Sequence, residues 1–354
     1  MLIKIKNHFF LTISFLLVMS IFLVSVIWFL KFDIPFVSLY YKKKPSTGYS
    51  IGIFSGEDPT SFYDPPEIDN PILTIADIND RKALFIADPF MISYKKQWYL
   101  FFEILNIVGY QGDIGVATSN DGINWNYNKV VLDEPFHLSY PCVFFDNENI
   151  YIIPESASTN TVRLYKAVNF PLEWRFEKTL LQGLHFIDPT IFKYNNIWWL
   201  FTETSGKNNK TLRLYFTDDL YSAWHEHPQS PIIKANANIA RPGGRVVVTN
   251  GKIFRYAQDC TPTYGNQVRV FEITKLNTND YKEKECCSSP VLESVTSEEG
   301  KDAWRSKGMH QIDAHLLDNG HWLACVDGLS SENINQSLVL KINLPFFTCQ
   351  ISFD

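Results

Sequence analysis

Asp88, Tyr140, Asp188, Arg241 and either His310 or Asp313 occupy the starts of similar stretches spread along a chain of 354 residues. Brought to one place, they would supply two carboxylates, a guanidinium and an aromatic ring. That set suits a sugar pocket: carboxylates bind hydroxyls or move protons, the guanidinium holds an anionic or polar group, and the ring covers the apolar face of a sugar. The same stretches close on the acids Glu103, Glu155, Glu203, Asp259 and Asp327, and an acid so placed can have the raised pKa of a proton donor. Cleavage of a glycosidic bond needs two carboxyl groups about 5–5.5 Å apart for retention, or roughly 6.5–9.5 Å apart for inversion. Asp88, Asp188, Glu155 and Glu203 are therefore the catalytic candidates. Tyr140, Arg241, Arg245, Asp259, His310 and Asp313 are the substrate-binding ones. The plainer alternative is that Asp before Pro, at Asp88 and Asp188, merely opens a turn. Pro242-Gly243-Gly244 lacks the Lys-Ser/Thr of a phosphate-binding loop and precedes a strand, so it reads as a close backbone approach. No cofactor or metal is expected, because no cysteine pair has zinc spacing and no acidic stretch has the spacing of an EF-hand. His225 and His227 read as part of a solvated loop.

The elements that must position these residues are β-hairpins. Residues 84–103 contain Asp88-Pro89, an alternating strand, a polar turn at Lys95-Lys96-Gln97 and an aromatic strand ending on Glu103. Comparable units cover 139–155, 185–203, 240–259 and 311–327, with turns at 146–149, Asn195-Asn196, Asn250-Gly251 and Asn319-Gly320. Asn-Gly is the strongest short hairpin signal. From Asp88 through Pro141, Asp188 and Arg241 to Asp313 the intervals are 53, 47, 53 and 72 residues, near the period at which all-β repeats form propeller blades. Trp125, Trp174 and Trp224 keep the same rhythm, 49 and 50 apart, and read as packing between blades. The prediction is an all-β fold, a five-bladed β-propeller over residues 49–354 whose blades have three to four antiparallel strands. Residues 49–54 or 337–342 would complete the last blade, removing the open sheet edges that invite aggregation. The polar, acidic residues 291–307 read as an inserted loop that lengthens the last interval.

After a short tail at residues 1–8, residues 9–30 run for 22 positions without a charge. At about 1.5 Å per residue such a helix crosses a bilayer core of about 30 Å. A cleaved signal peptide is the alternative, but its apolar region spans about 7–15 residues and ends at a small-residue site. The expectation is one N-terminal transmembrane helix anchoring the chain to a membrane, a linker at 31–48, and a propeller that is lumenal or extracytoplasmic. Lysines flank the apolar run on both sides, so charge sets no orientation. The formal net charge is −6 and 15% of residues are aromatic. Without a basic stripe, this balance excludes nucleic acid as the main partner. Of six cysteines, Cys142 and Cys325 sit in apolar strands as free thiols, and Cys260 with Cys286 or Cys287 is the first candidate disulfide.

The residues 49–56 (YSIGIFSG), Ala87-Asp88-Pro89-Phe90, His137-Leu138-Ser139-Tyr140-Pro141, Ile153-Pro154-Glu155-Ser156, Ala240-Arg241-Pro242-Gly243-Gly244-Arg245, Gln258-Asp259-Cys260 and His310…Asp313…Asp327-Gly328 follow in an order that resembles the N-terminal domain of plant glucosamine inositolphosphorylceramide transferase. That domain is similar in turn to the five-bladed propellers of the arabinanase, levansucrase and invertase group. The resemblance implies that Asp88 sits where a first-blade catalytic Asp would sit and that Asp188 matches a later Asp-Pro acid. It also implies that glycosyl transfer belongs to a separate C-terminal exostosin-like domain, for which this chain has no room. Tyr140-Pro141 departs from the Asp-Pro that would complete a hydrolase trio. The expectation is a binding or accessory module for glycan or glycolipid synthesis, with carbohydrate or a glycolipid head group as ligand and a separate glycosyltransferase as partner. A glycoside hydrolase or transglycosidase, with Asp88 as base and Glu155 or Glu203 as acid, and a protein-binding scaffold are the alternatives.

Overall fold

A computed structural model describes residues 37–41, 48–295, 303–330, 338–344 and 347–353. The apolar run at 9–30, and with it the expected transmembrane helix, lies outside them; among the described residues no helix is long and apolar enough to cross a membrane. Residues 45–333 form one compact unit, and residues 1–44 with 334–354 form another.

The first unit is a five-bladed propeller. Its first blade runs Ala83–Tyr94, Gln97–Asn106, Gly112–Ser119 and Asn126–Leu132, each strand antiparallel to the next. The second follows with Ser139–Asp146, Asn149–Glu155, Thr161–Asn169 and Glu173–Gln182, and the third with Ile187–Tyr194, Ile197–Glu203, Leu212–Thr217 and the short His225–Glu226. In the fourth, the innermost position is divided between Arg241–Pro242 and Val247–Thr249, which both pair with Lys252–Asp259. In the fifth, Ile312–Leu316 and Trp322–Leu329 are joined by Tyr49–Asp58 and Ser61–Tyr63. The strand from the amino end of the unit thus closes the ring, with Tyr49 opposite Leu329 and Gly56 opposite Trp322. Of the two expected closures, 49–54 is the one used. Leu338–Leu344 instead pairs with Val37–Tyr41 and Phe347–Phe353 in the separate three-stranded sheet of the second unit.

Local chemistry explains the hairpins. Lys95-Lys96, Asn195-Asn196 and Asn250-Gly251 place both central residues at positive φ, the backbone that two-residue hairpin loops need to match strand twist. The fifth blade differs from expectation: Leu316 opposes Trp322, so the turn is five residues long rather than Asn319-Gly320 alone. Buried apolar residues fill four clusters between the sheets. Trp125 and Trp174 belong to this packing, each donating its indole N–H to a carbonyl three residues back, Gly122 at 3.0 Å and Pro171 at 2.8 Å.

The innermost strands of the first three blades share one irregularity. Pairing skips between Ala87 and Phe90, between Ser139 and Cys142, and between Ile187 and Thr190. The residues left over are Asp88-Pro89, Tyr140-Pro141 and Asp188-Pro189, with φ of +54°, +44° and +48° at the residue before each proline. A bulge is where a strand tolerates a proline, and it re-aims the neighbouring side chain. In the fourth blade the matching Arg241-Pro242 leads into Gly243-Gly244, where a Cβ on Gly244 would lie 1.8 Å from the carbonyl oxygen of Ile312. The close backbone approach expected here joins the innermost strands of blades four and five.

Candidate functional site

At the end of the axis where the innermost strands begin, Asp88, Asp188, Arg241 and His310 converge with Glu103, Glu155 and Asp327. His310 lies between two acids. Its Nδ1 is 2.8 Å from Asp327 Oδ1 and its Nε2 3.2 Å from Asp88 Oδ1, the latter an ion pair off the line of a hydrogen bond. Burial opposes a charge on this imidazole, but Asp327, with Tyr264 and Tyr49 adding, raises its pKa well above the ordinary histidine value. Burial likewise opposes ionisation of Asp88, yet His310 and then Arg241 hold its carboxyl below the usual range. Asp327 also accepts the backbone N–H groups of Asp88, His310 and Gln311 at 3.0–3.1 Å. Asp88, His310 and Asp327 could each offer one metal-ligand atom within 4.8 Å of the others. Both ring nitrogens of His310 already face the carboxylates, so the imidazolium stands where a cation would.

Arg241 plays the same part for Asp188. Its Nε lies 2.6 Å from Oδ2 and its Nη2 3.3 Å from Oδ1, while Gln258 Nε2 donates to Oδ2 at 2.8 Å. Burial drives the Asp188 carboxyl upward against the pull of Arg241, with Glu155 and Asp88 adding to the rise. Three N–H donors on two oxygens fit the carboxylate form, so the pair stands as guanidinium and carboxylate. Arg241 Nη1 donates to Asn209 Oδ1 at 3.1 Å, and the ring of Tyr264, 44% exposed, lies 4.9 Å from its guanidinium. Tyr264 also meets His310 edge-on at 5.4 Å. Glu155 Oε2 accepts the backbone N–H of Asp188 at 3.2 Å and lies 4.0 Å from Arg241 Nη2.

Glu103 has no such cation. Burial first, then Asp88 and Glu155, pushes its carboxyl well above the ordinary range. Its neighbour is His137 Nε2 at 3.4 Å. His137 Nδ1 accepts the N–H of Gly112 at 2.9 Å, which leaves the ring proton on Nε2, facing Glu103. Burial lowers the His137 pKa, so this is a neutral imidazole beside a protonated acid.

The other candidates stand apart. Tyr140 is fully buried and crosses beneath the site, its hydroxyl bonded to Thr190 Oγ1 at 2.9 Å and to the N–H of Gly244 at 2.8 Å. It is a floor and presents no open ring to a ligand. Arg245 and Asp313 pair farther along the axis, Nε to Oδ1, with Arg245 also donating to the carbonyls of Val143 at 2.8 Å and Met91 at 3.3 Å. Glu203 Oε1 accepts the N–H groups of Ser205, Lys210 and Thr211 at 2.7–3.1 Å, and so anchors a loop. Asp259 does the same for Thr261 and pairs with Arg269 at 2.8 Å. His227 is buried with its Nε2 3.0 Å from the Asn277 carbonyl, so it does not lie in a solvated loop. Cys260, Cys286 and Cys287 are free thiols, and the suggested disulfide does not form.

Gln258, Asn209, His137 and Tyr264 contact the cluster, and no role is expected for them from the sequence. Gln258 could have been found from register, since it opposes Arg241. Tyr264 sits in a short irregular loop with no period to mark it.

Fold and site together define a five-bladed propeller with a polar axial end. Similarity to solved structures agrees on the fold. A thermostable family-43 glycoside hydrolase matches with a TM-score of 0.52 at 14% identity, over 80% of this chain and 95% of that one. RS223-Beta-xylosidase matches at 0.52 and 14%, over 65% and 82%. The sequence goes further: residues 42–329 match the family described as glucosamine inositolphosphorylceramide transferase 1, N-terminal, and the chain belongs to that family. Glucosamine inositolphosphorylceramide transferase 1 of Oryza sativa subsp. japonica is 36% identical over 301 residues, 82% of this chain and 39% of the relative. The protein of that name in Arabidopsis thaliana is 35% identical over 312 residues, 82% of this chain and 40% of the relative. The chain thus spans about two-fifths of the length of these relatives.

Proposed function

We propose that the axial end bearing Asp88, Asp188, Arg241 and His310 holds a carbohydrate or glycolipid head group without cleaving it, as a binding module in glycan or glycolipid synthesis. The observation that carries this is the fork of Arg241 on Asp188. A hydrolase needs one carboxylate free to attack or activate water and one carboxyl free to give a proton. Here Asp188 is committed to Arg241 and Gln258, and Asp88 to His310. What remains is a fixed set of donors and acceptors: the outer edge of Arg241, Glu155, Glu103 and the ring of Tyr264. Such a set orients hydroxyls and covers a sugar face. The names of the plant relatives support a glycolipid setting. Within this proposal residues 9–30 anchor the chain to a membrane, the propeller is lumenal or extracytoplasmic, and a separate glycosyltransferase is its partner.

One observation favours the hydrolase alternative. Glu103 is a buried, raised acid near two carboxylates, Asp88 and Glu155, and unlike charges on neighbouring acids are how acid and base roles separate. The experiment that decides is a glycan-array and glycolipid binding screen of the full chain beside Asp88→Asn, Arg241→Ala and Glu103→Gln, with reducing-end release followed in the same wells. Binding lost in Arg241→Ala, with no release from any variant, is the expected result. Release by the parent chain that Glu103→Gln abolishes would make the protein an enzyme. Neither binding nor release, from a chain shown to be folded, would sink the axial sugar site and favour a protein scaffold.

A further inference from the structure

The axis has a second end. From Asp88 to Ser93 the innermost strand of blade one advances at most about 16 Å, at ~3.3 Å per residue, and there the inner hairpins of blades one, two and five surround a cavity of about 610 Å³. Between the two ends lies the Arg245–Asp313 pair, bonded to the first blade through Met91 and to the second through Val143. The cavity is therefore separate from the site described above and shares none of its side chains.

Its walls are aromatic and held in place. Phe144 is buried, stacked on Tyr151 with centroids 5.7 Å apart and set edge-on to Trp198 at 5.4 Å. Trp98 stands edge-on to His315 at 5.6 Å. Phe145, 41% exposed, forms the rim. The floor is polar with balanced charge. Arg245 gives Nε and one Nη2 N–H to Asp313, the other Nη2 N–H to the Met91 carbonyl and one Nη1 N–H to Val143, which leaves one of its five N–H donors, on Nη1, without a partner among the described residues. His315 Nε2 is 3.1 Å from Asp313 Oδ2. A carboxylate accepts, so Nε2 carries a proton, and in the neutral ring Nδ1 is then an acceptor.

We propose that this cavity is a second carbohydrate site, one that takes a neutral pyranose ring. Fixed aromatic faces suit the apolar side of such a ring, and one donor beside one acceptor suits a pair of adjacent hydroxyls. The size falls in the range of about 300–1,000 Å³ typical of small-molecule sites. An anion would meet a guanidinium already neutralised by Asp313, and a hydrocarbon would strip water from the free N–H and lone pair without replacing it. The inference is independent of the proposed head-group site, because no residue is common to both.

The test uses the full chain and methyl α-pyranosides of glucose, galactose and mannose as probes, followed by saturation-transfer NMR and by tryptophan fluorescence. Variants are Phe145→Ser and Trp98→Ala, with His315→Ala reporting the floor and Asp88→Asn reporting the opposite end. The expected result is that at least one pyranoside binds, that Phe145→Ser and Trp98→Ala each weaken it about tenfold or more, and that Asp88→Asn leaves this Phe145- and Trp98-dependent binding unchanged. Phe145 is exposed, so its variant tests the site without testing the fold. No binding by any pyranoside would overturn the proposal. So would binding that Asp88→Asn removes and Phe145→Ser does not, or cyclohexanol competing as well as the sugar does.

Discussion

Replacing Arg241 tests whether the axial acids are held by their cations. Asp188 is 0% exposed, and Arg241→Ala would leave it with Gln258 alone on its side chain. Removing one partner of a buried ion pair costs about 3–5 kcal/mol, because the charge left behind has neither water nor counter-charge. At roughly 2–4 °C per kcal/mol for a chain of this size, the midpoint of thermal unfolding should fall by about 6–20 °C. Arg241→Lys should recover only part of this, since an ammonium cannot reach both Asp188 oxygens and Asn209 together. The decisive comparison is the double variant Arg241→Ala/Asp188→Asn, in which the uncompensated charge is gone. It should be more stable than the sum of the single effects by about 1–3 kcal/mol. The assay is urea and thermal unfolding of the full chain, followed by tryptophan fluorescence. Effects that add to within about 0.5 kcal/mol would refute the reasoning, for they would mean that Asp188 carries no charge that Arg241 is needed to balance.

Three more outcomes follow from the same geometry. The folded pKa of His310 is raised well above 6.5, so its contribution is complete below the unfolded value and lost as pH rises through the folded one. Urea midpoints should therefore decline from neutral into alkaline pH, and His310→Gln should flatten that slope. Glu103 also has a raised folded pKa, which for an acid means that stability falls as pH climbs above about 4.5. Glu103→Gln should then stabilise the chain at pH 7 and change nothing at pH 4, measured by the same unfolding curves. Gly244→Ala should cost more than about 4 kcal/mol, because its Cβ would lie 1.8 Å from the Ile312 carbonyl at a φ of +145°; soluble yield and unfolding midpoint report it.

The hairpins were legible because their signals are local. Asp-Pro, an alternating strand and an Asn turn lie within twenty residues, and the bulges at Asp88, Tyr140 and Asp188 repeat because the same Pro follows each. What the acids do was not legible, because it is decided by chain far from them. Glu155 and Glu203 hold the same register, opposite Ser139 and Ile187. A short 3-10 turn follows each, at Gly206–Asn208 and Ala157–Thr159, but it is the loop after Glu203 that folds back and gives three N–H groups to the carboxylate before it. One acid is thereby spent on a loop and the other faces Arg241. Tyr140 likewise shares the backbone place of Asp88 but points its ring down the axis, where Gly244 offers an N–H.

Left-handed backbone at a residue other than glycine costs of order 1–3 kcal/mol and persists only where its surroundings hold it. The first three blades keep it at the same place, with an Asp, a Tyr and an Asp, so the bulges serve the axis and not any single side chain. Given that scaffold, the chemistry is set by residue type around the ring. Two acids face two cations, Arg241 from blade four and His310 from blade five. Proton transfer by Asp188 would require Arg241 to withdraw from it, exposing a buried carboxylate to no counter-charge, whereas hydrogen bonding to a sugar requires no such movement. On the proposed reading, the arrangement holds a ligand without cutting it, on a propeller scaffold that is itself unchanged.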